Sequence, residues 1–318
     1  MENLKNMNFW TNFSESNEWK SIVLNTYPLK EKTVDFQNKK LNLFGNGSYF
    51  SNAPYLSYGG HFSENERLNA DFLKITDQPV LIKSKELLSF EDSVRPIMVT
   101  DYKTFLLDLS GGIDVVWNQR IKSKTRNQVR KAEKNKFQIK TGGEELLNDF
   151  YQVIAEAWRD LGTPTHSKEF YRNIVNYFDD PSKFHGQFMI IYIEDKPVSA
   201  ACIIFSDDYI CHPYAATLKE FNKYSVNNIL YWNIIKFAVE KKIAVFDMGR
   251  SRNGQSTVKY KLSWGAEPVQ LYYYYFNKKS HTNDEDGKLV RFLINMWKKL
   301  PLSIANFLGP KLIYKVLK

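Results

Sequence analysis

From residue 143 onward the apolar positions fall into two spacings, and each switch between them marks an element. In GEELLNDFYQVIAEAWRDLG (143–162) they recur every three or four residues, which predicts an amphipathic helix ending at Gly162. TPTHSKEFYRNIVNYFDD restarts as a second helix with Ser167 as its N-cap. FMIIYIEDKPVSAACIIFSDDYICHPYAAT then carries three strands, 188–193, 197–205 and 208–216, the first two joined by the EDKP turn. SVNNILYWNIIKFAVEKK (225–242) reads as a helix, IAVFDMG as a buried strand and VQLYYYYFN (269–277) as a last strand.

The first block, 1–115, is more broken. LNLFGNGSYFSNAPYLSYGGHF predicts short strands separated by Gly and Pro turns. SENERLNADFLKI follows as a helix with Ser63 as N-cap and Glu66 at the capping-box position, and PVLIKS and TFLLDLS (104–110) are strands. DVVWNQRIKSKTRNQVRKAEKNK (114–136) contains neither Gly nor Pro and predicts a helix. Trp117, Ile121, Thr125, Val129 and Ala132 form one thin apolar stripe on it, and the other faces are almost wholly basic. Residues 48–83 and 208–247 share one plan: strand, Pro-aromatic segment, polar turn, helix, strand. That order hints at two copies of one α/β unit.

Composition adds limits. The chain is 43% hydrophobic and 15% aromatic, so a packed core is expected. Cys202 and Cys211 lie nine apart without a CxxC partner, and the five histidines show no metal-ligand spacing; neither a disulfide framework nor a metal is expected. No apolar h-region opens the chain and no stretch of 18 apolar residues occurs, so the expected location is cytoplasmic. The net charge of +9 is concentrated: residues 117–140 contribute +8 and residues 287–318, with seven Lys/Arg and no acid, contribute +7. In the tail, Leu289, Phe292, Leu293, Met296, Trp297 and Leu300 share one helical face, with Arg291, Asn295, Lys298 and Lys299 opposite and a break at Pro301. Such a helix either lies on an anionic membrane, burying Trp297 and Leu300, or docks on the protein's own core.

Five stretches in register, WNQRIKSKTRNQVRKAEK, WRDLGTPTHSKEF, NNILYWNIIKFA, FDMGRSRNGQSTVKYKLSWGAEPVQL and MWKKLPLSIANFLGP, resemble the FemAB-like proteins found with exosortase/PEP-CTERM exopolysaccharide systems. These belong to the GNAT acyltransferase superfamily, and the likeness spans most of residues 44–315. It implies an α/β (α+β) fold: two tandem GNAT-like domains with mixed central sheets flanked by helices, plus a C-terminal amphipathic helical tail. The expected boundaries are 1–116 (a degenerate first copy), 117–280 and 281–318. It also implies transfer of an acyl or aminoacyl group to an amine on a cell-envelope precursor such as that of peptidoglycan or an exopolysaccharide. The precursor is lipid-linked in some relatives, and the activated donor is aminoacyl-tRNA or acyl-CoA.

Acyl transfer to an amine needs a neutral amine, a nearby carbonyl and stabilisation of the oxyanion that develops. Ligands in α/β sheets bind beyond the carboxyl ends of strands, where Asp247 and Gly249 end one here. Lys261 matches the lysine of the family's FK…WG motif, and the resemblance implies that it stabilises charge on the reacting carbonyl. Lys259, two residues away, is expected on the same strand face. Arg250 suits a carboxylate or phosphate and Ser251 projects beside it. Asp247 either orients Arg250 or accepts the amine proton, or the two form a structural ion pair. His166 in the polar DLGTPTHS loop is a candidate general base, with Thr163 and Ser167 as donors to substrate, or the loop only breaks and caps helices. Tyr214, Tyr231 and Trp232 are cleft-lining candidates, although aromatics at this spacing also build cores. Arg120, Lys124, Arg126, Arg130 and Lys131 form a candidate polyanion site for tRNA or a phosphorylated precursor, or else a solvated face.

Coenzyme-A-using relatives carry a Q/R-x-x-G-x-G/A loop before the helix that SVNNILYW begins. KEFNKYSVNN has no glycine, which argues against acyl-CoA. Three functions follow: a FemAB-like N-acyl or aminoacyl transferase, an acyl-CoA-dependent GNAT N-acetyltransferase, or a non-catalytic membrane-surface protein that binds polyanions.

Overall fold

A computed structural model describes residues 13–36, 39–60, 62, 67–68, 76–91, 94–177, 183–277 and 287–315 of the chain. Helix α1 (Asn17–Thr26) begins where the Ser16 side chain accepts from the Trp19 amide at 3.1 Å, and it buries Trp19, Ile22 and Val23. An antiparallel hairpin of β1 (Lys30–Phe36) and β2 (Lys39–Gly45) follows. Next come β3 (Phe50–Ser51), β4 (Arg67–Leu68), β5 (Val80–Ser84), β6 (Ser89–Phe90), β7 (Ile97–Val99) and β8 (Tyr102–Asp108). The helix expected from Ser63 and Glu66 lies outside the described residues except for Arg67–Leu68, which is extended and pairs in parallel with Ser89–Phe90.

The helix expected over 114–136 is interrupted. α2 (Gly112–Val115) runs into a π-helical turn at Val116–Arg120, Ile121 is extended, and α3 (Ser123–Glu133) starts afresh. Hydrogen bonding accounts for the break. Arg126 Nη1 donates to the carbonyls of Trp117, Asn118 and Ile121 at 3.1, 3.3 and 2.5 Å, taking up acceptors that a helix end leaves open. The Lys122 amide instead donates to the Ser263 carbonyl at 3.0 Å. Propensity favoured one helix; tertiary partners at Ser263 overrode it.

Then follow β9 (Gln138–Gly142), α4 (Leu147–Leu161), α5 (Lys168–Tyr177), β10 (His185–Ile193), β11 (Lys196–Phe205) and β12 (Tyr209–Thr217). α4 stops at Gly162 with Schellman bonds, Gly162 N to Arg159 O at 2.9 Å and Thr163 N to Trp158 O at 2.8 Å. Ser167 caps α5 as the sequence predicts, its Oγ accepting from the Phe170 amide at 3.1 Å. The chain continues through α6 (Val226–Glu240), β13 (Val245–Asp247), β14 (Ser251–Arg252), α7 (Ser256–Ser263), β15 (Glu267–Gln270), β16 (Tyr272–Phe276), α8 (Lys288–Trp297) and α9 (Leu302–Ile313).

Two mixed sheets flanked by helices result, the expected fold class. The first has the order β1-β2-β3-β5-β16-β7; the second runs β14-β8-β13-β12-β11-β10-β9, with β15 also on β8. Each contains one parallel pairing with a crossover between its strands, β3 with β5 and β12 with β13, the two places where the repeated plan was read. The single strand expected at 269–277 is two strands. It breaks at the buried Leu271: β15 stays on β8 of the second sheet, whereas β16 enters the first between β5 and β7. Sheet membership thus crosses the boundary expected at 116/117, since β8 lies in the second sheet and β16 in the first. Tyr273 and Tyr275 of β16 face the large core that also holds Phe150, Phe170 and Phe188, and Tyr274 and Phe276 face a smaller one with Val80 and Ile82, the period-2 alternation of a strand. A third core packs α6 against the other face of the second sheet. Among the described residues no helix is long and apolar enough to cross a membrane, and no three His, Cys, Asp or Glu side chains could together hold a metal.

Candidate active site

β12 and β13 pair in parallel for only three positions, Tyr209–Cys211 against Val245–Asp247. β12 then runs on to Thr217, while the other chain turns away: the Met248 amide donates to the Phe105 carbonyl at 2.9 Å and Ser251 pairs with Lys103 of β8. The two strands therefore part at their carboxyl ends. Gly249 makes the turn at φ +77, a conformation that favours glycine.

Asp247 is fully buried at this edge, with four donors around its carboxylate. Oδ1 accepts from Thr104 Oγ1 at 2.5 Å and the Gly249 amide at 2.7 Å; Oδ2 accepts from the hydroxyls of Tyr209 at 2.7 Å and Tyr58 at 3.1 Å. This satisfies both oxygens of a buried charge. Burial and the Asp247 charge hold both tyrosines well above the usual phenol range, so they act as neutral donors. Tyr58 arrives from the first sheet. Its loop is held over β5 by Lys83 Nζ donating to the Leu56 carbonyl at 2.7 Å and by Asn52 Nδ2 donating to the Gly59 and Lys83 carbonyls at 3.0 and 3.1 Å. The site therefore sits where the two sheets meet.

Lys261 comes from α7. KYKLS is helical, not a strand, so the expectation that Lys259 shares a face with Lys261 fails: two residues on a helix are about 200° apart, and Lys259 is exposed while Lys261 is buried. Lys261 Nζ donates to the carbonyls of Gly249 at 2.7 Å and Arg250 at 3.0 Å. Burial pushes its ammonium down to about 8, with the Asp247 charge opposing that shift and Arg250 adding to it. An ammonium has three hydrogens; the third has no hydrogen-bond acceptor among the described residues. α7 is fixed by its end: Trp264 is fully buried, and Gly265 at φ +85 lies so close to the first basic helix that a Cβ would stand 2.5 Å from the Arg120 carbonyl oxygen.

Arg250 engages two tyrosines. Its guanidinium lies 4.8 Å from the Tyr102 ring centre and donates to Tyr273 Oη at 2.8 Å, and Tyr273 in turn donates to the Ser57 carbonyl at 2.6 Å. Ser251 Oγ is buried with no partner among the described residues. His212, which no spacing in the sequence singled out, stands just past the last β12–β13 pair. Its Nε2 is buried without a partner among the described residues, and burial together with the Lys261 charge pushes its imidazole down to about 4. It is neutral at physiological pH. Lys85, just past β5, is also buried, its ammonium lowered by desolvation and raised by Glu86 at 3.6 Å and by the field of Asp247.

Most other candidates lie elsewhere. His166 is not in a polar loop environment: it is buried, stacked on Phe170 at 4.1 Å, edge-on to Tyr55 and Tyr214 at 4.8 and 5.4 Å, and its Nδ1 meets the Tyr27 hydroxyl at 2.7 Å. Burial pushes it down to about 3, so it cannot hold a proton near neutrality. Tyr214 belongs to this aromatic box, and Thr163 is an exposed residue of the Schellman turn. Tyr231 packs between His212, at 4.8 Å, and Trp264, at 5.9 Å; Trp232 packs on Trp117 at 4.6 Å. Of the basic face, Arg120 is tied to Asp108 and Arg126 to the carbonyls named above, whereas Lys124, Arg130 and Lys131 are exposed. In the tail, Trp297 is buried on the protein and not left for a membrane.

Residues 119–262 match the Acetyltransferase (GNAT) domain family. No curated protein sequence matches the chain. Among solved structures the fold is similar to FemX, with 11% identity, 82% of this chain and 91% of that chain covered and a TM-score of 0.54. It is similar to L-PGS from Bacillus licheniformis, with 10% identity, 85% and 90% covered and a TM-score of 0.53. A conserved protein from Bacteroides thetaiotaomicron matches with 10% identity, 85% and 92% covered and a TM-score of 0.52. Residues 119–262 thus carry the match to a GNAT acetyltransferase domain, and the chain shares the fold of FemX.

Proposed function

We propose that this chain is an acyltransferase that moves an acyl or aminoacyl group from an activated donor to an amine on a cell-envelope precursor, with the reacting carbonyl in the gap where β12 and β13 part. The observation that carries this reading is Lys261: a buried cation fixed by two backbone carbonyls, 5.4 Å from the Phe105 ring centre, with one N–H that no hydrogen-bond acceptor among the described residues takes. Aimed at an oxyanion, such a donor acts without reorganising as the amine attacks. Asp247 is closed off by four donors, so its role is to fix the Gly249 turn and not to accept the amine proton. We assign Arg250, Ser251 and His212 to the approach to that gap, where the neutral His212 ring offers a hydrogen bond without a charge. His166 and Tyr214 are assigned a structural role.

The donor that fits best is aminoacyl-tRNA. The segment before α6 is a 3-10 turn, Lys219–Tyr224, whose Phe221 and Ser225 amides already bond to Leu218 and Asn222 carbonyls at 3.0 Å, so the backbone does not present the open glycine loop that grips a pyrophosphate. The exposed Lys124, Arg130 and Lys131 offer phosphate contacts for the polyanion. Assignment to exopolysaccharide or peptidoglycan precursors rests on the resemblance of the five motifs, and so does a place at the inner face of the cytoplasmic membrane. Thermal unfolding of the full chain with acetyl-CoA and with aminoacyl-tRNA tests the donor. Saturable stabilisation by aminoacyl-tRNA is expected. Stabilisation by acetyl-CoA alone would replace this reading with the CoA-dependent one.

A further inference from the structure

The tail splits its residues three ways, and only one of those faces is used. α8 and α9 lie against α4: Arg159 Nη1 donates to the Leu300 carbonyl at 3.0 Å, and Trp297, Ala305 and Gly309 are buried. A Cβ on Gly309 would stand 3.0 Å from the Thr165 carbonyl oxygen, and Tyr314 and Lys315 receive Asn46 Nδ2 through their carbonyls, at 3.5 and 2.7 Å. The tail is therefore a fixed part of the protein and not a free arm.

On its outer side stand Phe292, Leu293, Met296, Ile304 and Phe307, between 44% and 65% exposed, joined by Leu161 at the end of α4, 66% exposed. Most of the exposed large hydrophobic side chains among the described residues are gathered here. Scattered single apolar residues need no explanation, but a gathered set does. Helical spacing puts Phe292 and Met296 on one stripe of α8, with Lys288 and Arg291 beside it, and Lys298 and Lys299 follow at its end. Lys311 lies over the Phe307 ring at 3.6 Å. Residues 287–318 hold seven cations and no acid.

We infer that this outer face of α8 and α9 seats the protein on an anionic lipid bilayer, its aromatic and aliphatic side chains entering the headgroup boundary and its lysines meeting lipid phosphates. Charge decides the occupant. A second copy of the chain would bring the same cations against themselves, whereas a bilayer surface rich in anionic lipid complements them and accepts single apolar side chains at shallow depth. The inference does not depend on the transferase reading: it needs no substrate and no turnover.

The test is co-sedimentation of the full chain with vesicles of phosphatidylcholine alone and of phosphatidylcholine mixed with phosphatidylglycerol. The account expects binding to the mixed vesicles and little to phosphatidylcholine, with affinity falling as salt rises. F292S/M296S/F307S should lose on the order of tenfold or more of that binding. Its thermal unfolding should match the wild type, because all three side chains are exposed. Failure of the wild type to bind mixed vesicles would overturn the inference, and so would unchanged binding by the triple variant. A wild-type dimer in solution that the triple variant dissolves would assign the face to a second copy. Any of these results leaves acyl transfer untouched.

Discussion

Lys261 and His166 are both buried, and their surroundings treat charge in opposite ways. Lys261 has two carbonyls on its ammonium and the Asp247 carboxylate acting from nearby, so burial lowers it only to about 8 and it stays charged near neutrality. His166 has one hydroxyl, Tyr27, and rings on its other sides; burial carries it to about 3 and it stays neutral. Burial alone does not separate a site from a core. What separates them is whether the surroundings supply acceptors and opposite charge for an ionised group.

The largest effect that would sharpen this contrast lies at Asp247. Asp247→Ala removes the shared acceptor of Tyr58, Tyr209, Thr104 and the Gly249 amide, although the two tyrosine hydroxyls also meet each other at 3.1 Å, and should cost about 3–5 kcal/mol of unfolding free energy in urea. His166→Phe keeps the ring packing and loses one hydrogen bond, so about 1–2 kcal/mol is expected. Equal losses would break the contrast. Next, Gly265→Ala forces a side chain toward the Arg120 carbonyl at positive φ and should cost about 1–3 kcal/mol, loosening α7 and with it Lys261.

A smaller effect is the pH dependence of stability. A histidine lowered in the folded state lets the unfolded chain bind more protons between the two values. Stability is thus full above the ordinary value near 6.5 and falls as pH drops toward 3–4, through His166 and His212. Denaturant midpoints measured from pH 7 to 4 should decline less steeply in His166→Phe than in the wild type. Lys261 obeys the same sign higher up: stability rises with pH between about 8 and 10.5, and Lys261→Met should flatten that limb. The smallest effects are expected for Thr163→Ala and Lys259→Ala, both exposed, with stability within ~0.5 kcal/mol of the wild type.

Much of this architecture was legible. The helices over 143–162 and 225–242 and the three strands from 188 to 216 follow apolar spacing that their burial confirms, and Ser167 caps as its position predicts. Three features were not. The break at Ile121 depends on Ser263, far along the chain, and the break at Leu271 on which sheet each half joins. KYKLS reads as a strand by alternation, yet its end is held as a helix by Trp264 packing and the Gly265 turn. At the site, Asp247 and Lys261 both hold the Gly249 turn, a proximity that their shared motif suggests, but the side chains that give Asp247 its setting do not announce themselves: Tyr209, Thr104 and Tyr58 lie 38, 143 and 189 positions away. His212 sits in strand text with nothing to mark it, and His166 looked polar only because its sequence neighbours are.

The central claim is that Lys261 supplies positive charge to the carbonyl under attack. It is tested most directly by turnover against pH at saturating substrate, for the wild type and for Lys261→Met with the donor that stabilises the protein. The account predicts a wild-type rate that falls as pH rises through about 8, and a variant rate lower by about 10²–10³ with no such fall. A Lys261→Met enzyme that turns over as fast as the wild type would contradict it.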